Sequence, residues 1–181
     1  KVSASIESDD TAASLHDKMA ELGATAIITV LQDLPHYQAQ AIVQDDSQAN
    51  YAEKLVKTEG EIDWTQSATV IERQIRGLTP WPGAYTFLAG QRVKILASLP
   101  VNASQPTDKQ AGTVISVGRK AILIACGHND NIDINIDANT LQASTLAITQ
   151  LQFAGSKPVS AEQICHGNQL NDGVQFSKET K

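Results

Sequence analysis

The sequence changes character abruptly at residues 80–83 (Pro-Trp-Pro-Gly), and this break constrains the possible folds more than any other feature. Before it, residues 66–78 repeat at the helical period, with one apolar face formed by Ala68, Ile71, Ile75 and Leu78. Thr65 can cap the start of this helix, and Gly77 helps to end it. The prolines exclude any continuation, because proline lacks the N–H that a helix interior needs.

After the break, the sequence has the pattern of short β-strands separated by glycine, asparagine and proline clusters. Six segments show it: 84–88, 93–99, 112–117, 121–126, 132–136 and 146–153. Strands of this number and spacing predict a small barrel similar to the OB fold. A short helix capped by Ser160 is predicted over residues 160–166, and residues 171–181 are predicted to be poorly ordered. The predicted fold class is α+β: short helices and a linker, then an OB-like β-barrel with a terminal helix.

The part of the chain before the break has weaker signals. Residues 14–22 place apolar side chains on one helical face, and Gly23 is predicted to end that helix. Residues 26–34 are predicted to form a second short helix that ends at Pro35. Residues 36–63 are polar without strong periodicity, which is typical of a linker lying along a surface.

The charge is distributed unevenly along the chain. Residues 1–63 hold four Lys and Arg against twelve Asp and Glu, whereas residues 64–181 hold ten against eight. The net charge of −6 therefore hides two regions of different character. An acidic chain can still bind RNA if its cations gather on one face, because the local potential decides.

Composition excludes several classes of protein. No apolar run approaches the length of a membrane helix, and the amino terminus has no signal-peptide pattern. Cys126 and Cys165 are too few to staple a fold of this size, which favours reduced thiols in the cytoplasm. Residues 1–6 alternate weakly, as at the end of a strand, and no methionine precedes them, so we expect the chain to be a fragment.

Three stretches together resemble one protein family. Residues 51–64, residues 67–85 and residues 151–161 are similar to the interdomain segment, the opening of the second domain and its last strand-to-helix passage in methionyl-tRNA formyltransferases. The middle stretch, which contains Gly-Leu-Thr-Pro-Trp-Pro-Gly-Ala-Tyr, is the most specific. Residues 9–34 also resemble the helices that close the family's first domain. The resemblance implies a remnant of the catalytic domain at 1–35, a linker at 36–63 and an OB-like tRNA-binding domain at 64–181.

The resemblance also implies an activity. The family transfers a formyl group from 10-formyltetrahydrofolate to the methionyl amino group of initiator tRNA. Its catalytic motifs have no match in this sequence, so no catalytic residue is assigned, and the chain alone is predicted to be inactive and to bind no folate. The implied partner is initiator methionyl-tRNA, and the protein is expected to be a cytoplasmic monomer without a membrane contact.

Candidate tRNA contacts are cations that could neutralise phosphate without reading bases. They are Lys54, Lys57, Arg73, Arg76, Arg92, Lys94, Arg119 and Lys120. Each has a simpler interpretation: Lys54 and Lys57 could be solvated linker lysines, and Arg76 could pair with Glu72 along the helix.

The remaining unusual residues are predicted to be structural. Trp81, between two prolines, is interpreted as a plug over the barrel end, and Trp64 as an interdomain core residue. The acidic residues of the stretch 130–137 do not match a calcium loop, and their alternation with isoleucine indicates a half-buried strand. Cys126 and His128 lack a second ligand pair at zinc spacing, so no metal site is predicted.

Two alternatives stay open from the sequence. One is the carboxyl-terminal half of a sugar-nucleotide formyltransferase, against which residues 51–64 argue. The other is a freestanding OB-like binding module with no enzyme attached. The freestanding module predicts that residues 1–34 form a self-contained cap, whereas the methionyl-tRNA formyltransferase predicts an exposed apolar face there.

Overall fold

The computed structural model describes residues 1–99, 107–127, 144–167 and 170–178. The chain divides into two units, Lys1–Leu55 and Val56–Lys181, and each is described by itself. The predicted strand at 132–136 and the acidic residues around it lie outside the described residues. The domain boundaries at residues 35 and 63 stay predictions.

The first unit is helical. Helix α1 spans Ala12–Gln32, helix α2 spans Leu34–Ala39, and a short 3-10 helix covers Asp46–Gln48. Helix α1 begins with a reciprocal cap, in which the Ser14 N–H donates to Thr11 Oγ1 and the Thr11 N–H donates to Ser14 Oγ. These two bonds satisfy N–H groups that the first turn would otherwise leave without partners.

Three predictions for this unit are wrong. Gly23 does not end a helix, because α1 continues through it and absorbs the predicted second helix at 26–34. A glycine costs a helix interior only about 1 kcal/mol relative to alanine, which a 21-residue helix can absorb. Pro35 lies in the first turn of α2, where its missing N–H is harmless. Residues 1–6 form no strand, because this unit contains no strand with which they could pair.

The second unit is built on an antiparallel sheet. Its strands are β1 Ala84–Leu88, β2 Gln91–Ser98, β3 Val114–Val117, β4 Ile122–Ala125, β5 Thr145–Phe153 and β6 Val159–Ser160. Helix α3, Ala68–Gly77, precedes the sheet, and helix α4, Ala161–Gly167, follows it. The order is β1-β2-β5-β4-β3, with β6 paired to β5. The α+β class and the terminal helix are confirmed, but the predicted OB-like barrel is not, because the described sheet is not closed between β1 and β3.

The start of α3 differs from its prediction by two residues. Ser67 is the N-cap, and its Oγ accepts a backbone N–H of the first turn. Thr65 is engaged elsewhere, because its Oγ1 donates to Asp63 Oδ1 at 2.6 Å. Ser160 caps α4 as predicted, with its Oγ accepting a first-turn N–H at 3.3 Å.

The core lies between the sheet and the apolar face of α3. Along β2, Val93 and Ile95 are buried while Lys94 is exposed, which is the alternation that a pleated strand imposes. Ile95 pairs with Ala84 on one side and Leu151 on the other, and all three are buried. Burial of a side chain as large as Ile95 or Leu151 contributes about 1.5 to 3 kcal/mol to folding.

The end of the chain packs into this core, contrary to prediction. Phe176 is 1% exposed and stacks on Trp64, with ring centroids 5.9 Å apart and planes at 17°. Ser177 pairs with Phe87 of β1, and Gln175 pairs with Thr113 beside β3. The described residues 171–178 are therefore part of the fold, because Phe176, together with the half-buried Val174, anchors a mostly polar segment.

The two tryptophans have roles different from those predicted. Trp64 is buried in the core of the second unit, and its Nε1–H donates to Thr86 Oγ1 at 2.9 Å. It is thus an internal core residue of that unit rather than an interdomain one. Trp81 is 51% exposed and does not plug the sheet. It sits in the turn after α3, closed by the Gly83 N–H donating to Leu78 O, while Trp64 and Phe176 fill the core.

Candidate nucleic-acid interface

The segment that enters the second unit is held against α3 and β1. It contains a 3-10 helix, Lys57–Gly60, whose Glu59 carboxylate accepts the Val56 N–H at 2.7 Å. The Gln74 side chain of α3 donates to the carbonyls of Glu59 and Glu61 at 2.8 and 3.2 Å. Lys57 therefore projects from a fixed turn and not from a loose linker.

Gly60 is the point of closest approach in this turn. A Cβ at this position would stand 2.2 Å from Gly83 O and 3.2 Å from a ring carbon of Tyr85. Since real Cβ contacts are never that short, only glycine lets the turn lie against the Tyr85 ring. The next segment is tied to the same strand, because the Ile62 N–H donates to Tyr85 O at 2.8 Å.

Arg92 covers the same tyrosine from strand β2. Its Cζ lies 3.5 Å from the centroid of the Tyr85 ring, a cation–π contact. Lys94 follows two residues later on the same face of β2, and its Cα partners are Tyr85 on β1 and Gln152 on β5. Tyr85 thus contacts Arg92 through its ring and pairs with Lys94 across the strands, and the turn that bears Lys57 approaches its ring at Gly60.

Arg73 is not part of this group, because α3 packs on the face of β2 formed by Val93 and Ile95, whereas Lys94 lies on the other face. It is exposed on α3 and directly precedes Gln74, the residue that clamps the Lys57–Gly60 turn. We call Lys57, Arg92 and Lys94 the Tyr85 surface. In the described part of the chain, none of these three cations forms an ion pair, although Glu59 and Glu61 lie within or directly after the turn that bears Lys57.

The other four predicted cations lie elsewhere or are engaged. Arg76 pairs with the buried carboxylate of Glu72 at i,i+4, which confirms the simpler interpretation. Arg119 and Lys120 are exposed at the turn between β3 and β4, at the sheet edge opposite to β1. Lys54 belongs to the first unit, Lys1–Leu55.

Sequence reasoning missed the residues that organise the surface. Tyr85 is not among the predicted tRNA contacts, but its ring is buried beneath Arg92. Lys157 was not singled out, but it is exposed just after the turn that follows β5. The sequence signal that could have placed Tyr85 opposite Lys94 is the two-residue turn Ala89-Gly90. This turn has positive φ at both positions and fixes the β1–β2 register.

Two observations on the described residues concern thiol and metal chemistry. Burial raises the pKa of the Cys126 thiol to about 12, so it stays protonated and is a poor nucleophile or ligand. No cluster of histidine, cysteine and acidic residues able to hold a metal ion occurs in the ranges that the structure describes. In those same ranges, no helix is both long and apolar enough to cross a membrane.

Comparison with known proteins defines the family. The family model described as formyl transferase, C-terminal domain, matches residues 54–169. The chain belongs to the formyl transferase family. The match covers α3, the whole described sheet and α4, so the Tyr85 surface lies on the formyl transferase domain itself.

Curated relatives agree with the resemblance seen in the sequence. The chain is 39% identical to a methionyl-tRNA formyltransferase of Nitrosomonas eutropha over 97% of its length, and 40% identical to one of Marinobacter nauticus over 92%. A methionyl-tRNA formyltransferase of Acinetobacter baumannii is 36% identical over 93% of the chain. The aligned parts are 50%, 48% and 49% of those relatives, so the chain spans about half their length.

Among solved structures, the chain is similar to HypX from Aquifex aeolicus in complex with tetrahydrofolic acid. The TM-score is 0.43 and the identity 15%, over 77% of this chain and 22% of that one. This likeness is too distant to bear on the site.

Proposed function

We propose that this chain is the tRNA-holding half of a methionyl-tRNA formyltransferase, and that the Tyr85 surface grips the tRNA backbone. The observation that carries the proposal is the placement of Lys57, Arg92 and Lys94 beside one tyrosine, with none of the three in an ion pair among the described residues. Phosphate contacts of this kind fix the position of a nucleic acid and carry no base sequence.

In this proposal, the chemistry takes place on the half of the enzyme that this chain does not include. A formyl group passes from 10-formyltetrahydrofolate to the methionyl amino group of initiator tRNA. The chain contributes by holding the tRNA so that the amino group reaches the folate, and orientation of this kind can supply a large part of a rate enhancement. By itself, the chain binds no folate and is inactive.

The first unit supports the presence of a partner domain. Helix α1 has no buried residue. Exposed apolar side chains lie along one of its faces, including Met19, Ile27 and Leu31, which are eight and four residues apart. A contiguous apolar stripe on a helix is normally covered. The proposed cover is the catalytic half, which fits the fact that the chain spans about half the length of its relatives.

The proposal includes a finer description of the second unit. The terminal segment bonds to Phe87 on one sheet edge and to Thr113 beside the other, which supports an OB-like arrangement that is completed by this segment instead of by direct pairing of β1 and β3. Folds of this class often bind nucleic acids through one face. A cytoplasmic monomer is proposed with it.

An enzyme variant that lacks the three cations of the Tyr85 surface tests the proposal. The full-length protein with Lys57, Arg92 and Lys94 all replaced by alanine is expected to lose most formyl transfer at subsaturating tRNA. Transfer should recover at high tRNA, because the lost contacts serve binding. A matched variant with Arg119, Lys120 and Lys109 replaced by alanine removes the same charge away from the Tyr85 surface. Equal losses in the two variants would contradict the proposed surface.

The same assay separates the rival functions. Transfer to an amino sugar nucleotide, with none to methionyl-tRNA, would establish the sugar-nucleotide formyltransferase. A native protein with a mass near 19.4 kDa and no transfer would establish the freestanding module. The names of the curated relatives favour methionyl-tRNA as the substrate.

A further inference from the structure

Among the described residues, Arg92 lacks both a hydrogen-bond acceptor for its Nε and a carboxylate partner for its charge. Its guanidinium is half-buried on the Tyr85 ring, and its Nε is buried without a hydrogen-bond acceptor. In the described ranges, no carboxylate pairs with it. Arginine carries five N–H donors, and donors removed from water without gaining an acceptor destabilise a fold. Because Arg92 as a whole is only half-buried, the terminal N–H groups of its guanidinium are the donors available to an anion from outside the chain.

A depression of suitable size opens beside this guanidinium. Its volume is about 190 Å³. The residues that line it are Arg92, Lys94, Gln152, Phe153, Ala154 and Gly155, which include two cations and no carboxylate. Sites for drug-sized molecules measure about 300 to 1,000 Å³. This one suits a single small charged group rather than a base with its sugar.

The far wall of the depression is held in place by hydrogen bonds. The Ser156 N–H donates to Phe153 O at 3.1 Å, which closes the turn after β5. Gln152 Nε2 donates to Ser156 O at 2.7 Å, so this side chain braces the turn, and Lys94 lies opposite it on β2. On the near wall, the contact with Tyr85 fixes the plane of the guanidinium. The Arg92 guanidinium is thus oriented before any ligand binds.

We propose that this depression, the Arg92 pocket, binds one phosphate group, with the planar guanidinium of Arg92 as a two-point donor and Lys94 as a point charge. Arginine matches two oxygens of one phosphate through parallel N–H donors, whereas lysine does not. The inference rests on the proposed function for the identity of the ligand, which is a phosphodiester of the RNA backbone. Free phosphate has the same chemistry and is the second source to test.

Direct observation of Arg92 tests the pocket without a variant. In this chain labelled with ¹⁵N, titration with inorganic phosphate is expected to shift the Arg92 Nε–H resonance to a saturating limit. Chloride at the same ionic strength should not shift it. A short RNA duplex should shift the same resonance at lower concentration. No shift with either ligand would overturn the pocket.

Arg92→Lys separates a shaped site from general positive charge. It keeps the charge but removes the planar donor, so affinity for phosphate and for the RNA duplex should fall about tenfold. Arg119→Lys, at the turn between β3 and β4, is the matched control. It should change neither the affinity for phosphate nor the affinity for the RNA duplex. Thermal unfolding checks that both variants are folded. Unchanged affinity in folded Arg92→Lys would overturn the two-point contact.

The two ligands also separate this inference from the function on which it rests. Binding of tRNA that does not depend on Arg92 would leave the proposed function in place and overturn the pocket. Saturable phosphate binding without any RNA binding would support the pocket, overturn RNA as its ligand and contradict the proposed function.

Discussion

Trp64 and Phe176 stack at 5.9 Å in the core of the second unit, although they stand near opposite ends of it in the sequence. Phe176→Ala should lower the free energy of unfolding by about 3 to 5 kcal/mol, because it empties a fully buried aromatic site. Urea denaturation measures this loss. Ser177→Ala, at an exposed neighbour, should change stability by less than about 0.5 kcal/mol. A loss below about 1 kcal/mol in Phe176→Ala would show that the terminal segment does not anchor the fold.

Gly60→Ala should destabilise the second unit by about 1 to 3 kcal/mol, the usual range for overpacking. The added methyl would meet Gly83 O at 2.2 Å, so either the turn or β1 must move. Gly77→Ala is the control, because a Cβ there meets nothing within 4 Å and alanine favours helix. The comparison is made by thermal unfolding. Equal stability of the two variants would contradict the close approach.

The Asp10 carboxyl at the start of α1 should titrate with a pKa of about 2, lowered from 3.8 mainly by its hydrogen bond with the Lys18 ammonium. The backbone N–H of Glu7 and the hydroxyl of Ser14 add to the effect. Because the folded pKa is depressed, the stabilisation is present above about pH 3.8 and is lost as the pH falls through about 2.

Carboxyl ¹³C chemical shifts measure this titration directly. Lys18→Met removes the largest cause of the shift, so the Asp10 midpoint should rise toward 3.8. An unchanged midpoint in Lys18→Met would rule out the ion pair as the cause.

Cys126 should resist alkylation at pH 8, because burial holds its pKa near 12 and leaves almost no thiolate. Cys165 is partly exposed on α4 and should react first with iodoacetamide. Peptide mass spectrometry of the native chain distinguishes the two sites. Equal labelling of both cysteines under native conditions would contradict the burial of Cys126.

Binding of initiator tRNA should become less salt-dependent when a cation of the Tyr85 surface is removed. Each of Lys57→Ala and Lys94→Ala is expected to reduce the slope of log K against log salt by about 0.7 to 0.9, the value of one phosphate contact. Filter binding at several salt concentrations gives the slopes. Lys178→Ala is the control, because Lys178 already pairs with Asp63 at 2.9 Å. Slopes that stay unchanged in both test variants would exclude these lysines as contacts.

The local parts of this fold could be predicted from the sequence. The apolar face of α3 and the strands around Ile95, Ile124 and Ile148 follow from short periodic patterns, which act within a few residues. The prediction that a helix ends at Gly23 was wrong, because it gave the small local cost of glycine more weight than the cooperative gain of a long helix.

The parts that could not be predicted depend on contacts between distant segments. Phe176 is a lone aromatic in a polar stretch, and nothing near it in the sequence indicates Trp64 as its partner. The eight candidate cations were identified by residue type, but the contact of Arg92 with Tyr85 depends on strand register. Recognising Ala89-Gly90 as a two-residue turn would have placed Lys94 opposite Tyr85.

The terminal segment, residues 171–178, affects where this domain can be truncated for expression. Sheet edges with free N–H and C=O groups are templates for pairing with other molecules. Here Phe87 on one edge exchanges two backbone hydrogen bonds with Ser177, and Val114 on the other bonds with Val174 and Gly173. A chain cut before Gly173 would expose both edges at once, and aggregation, rather than simple loss of stability, is the expected result.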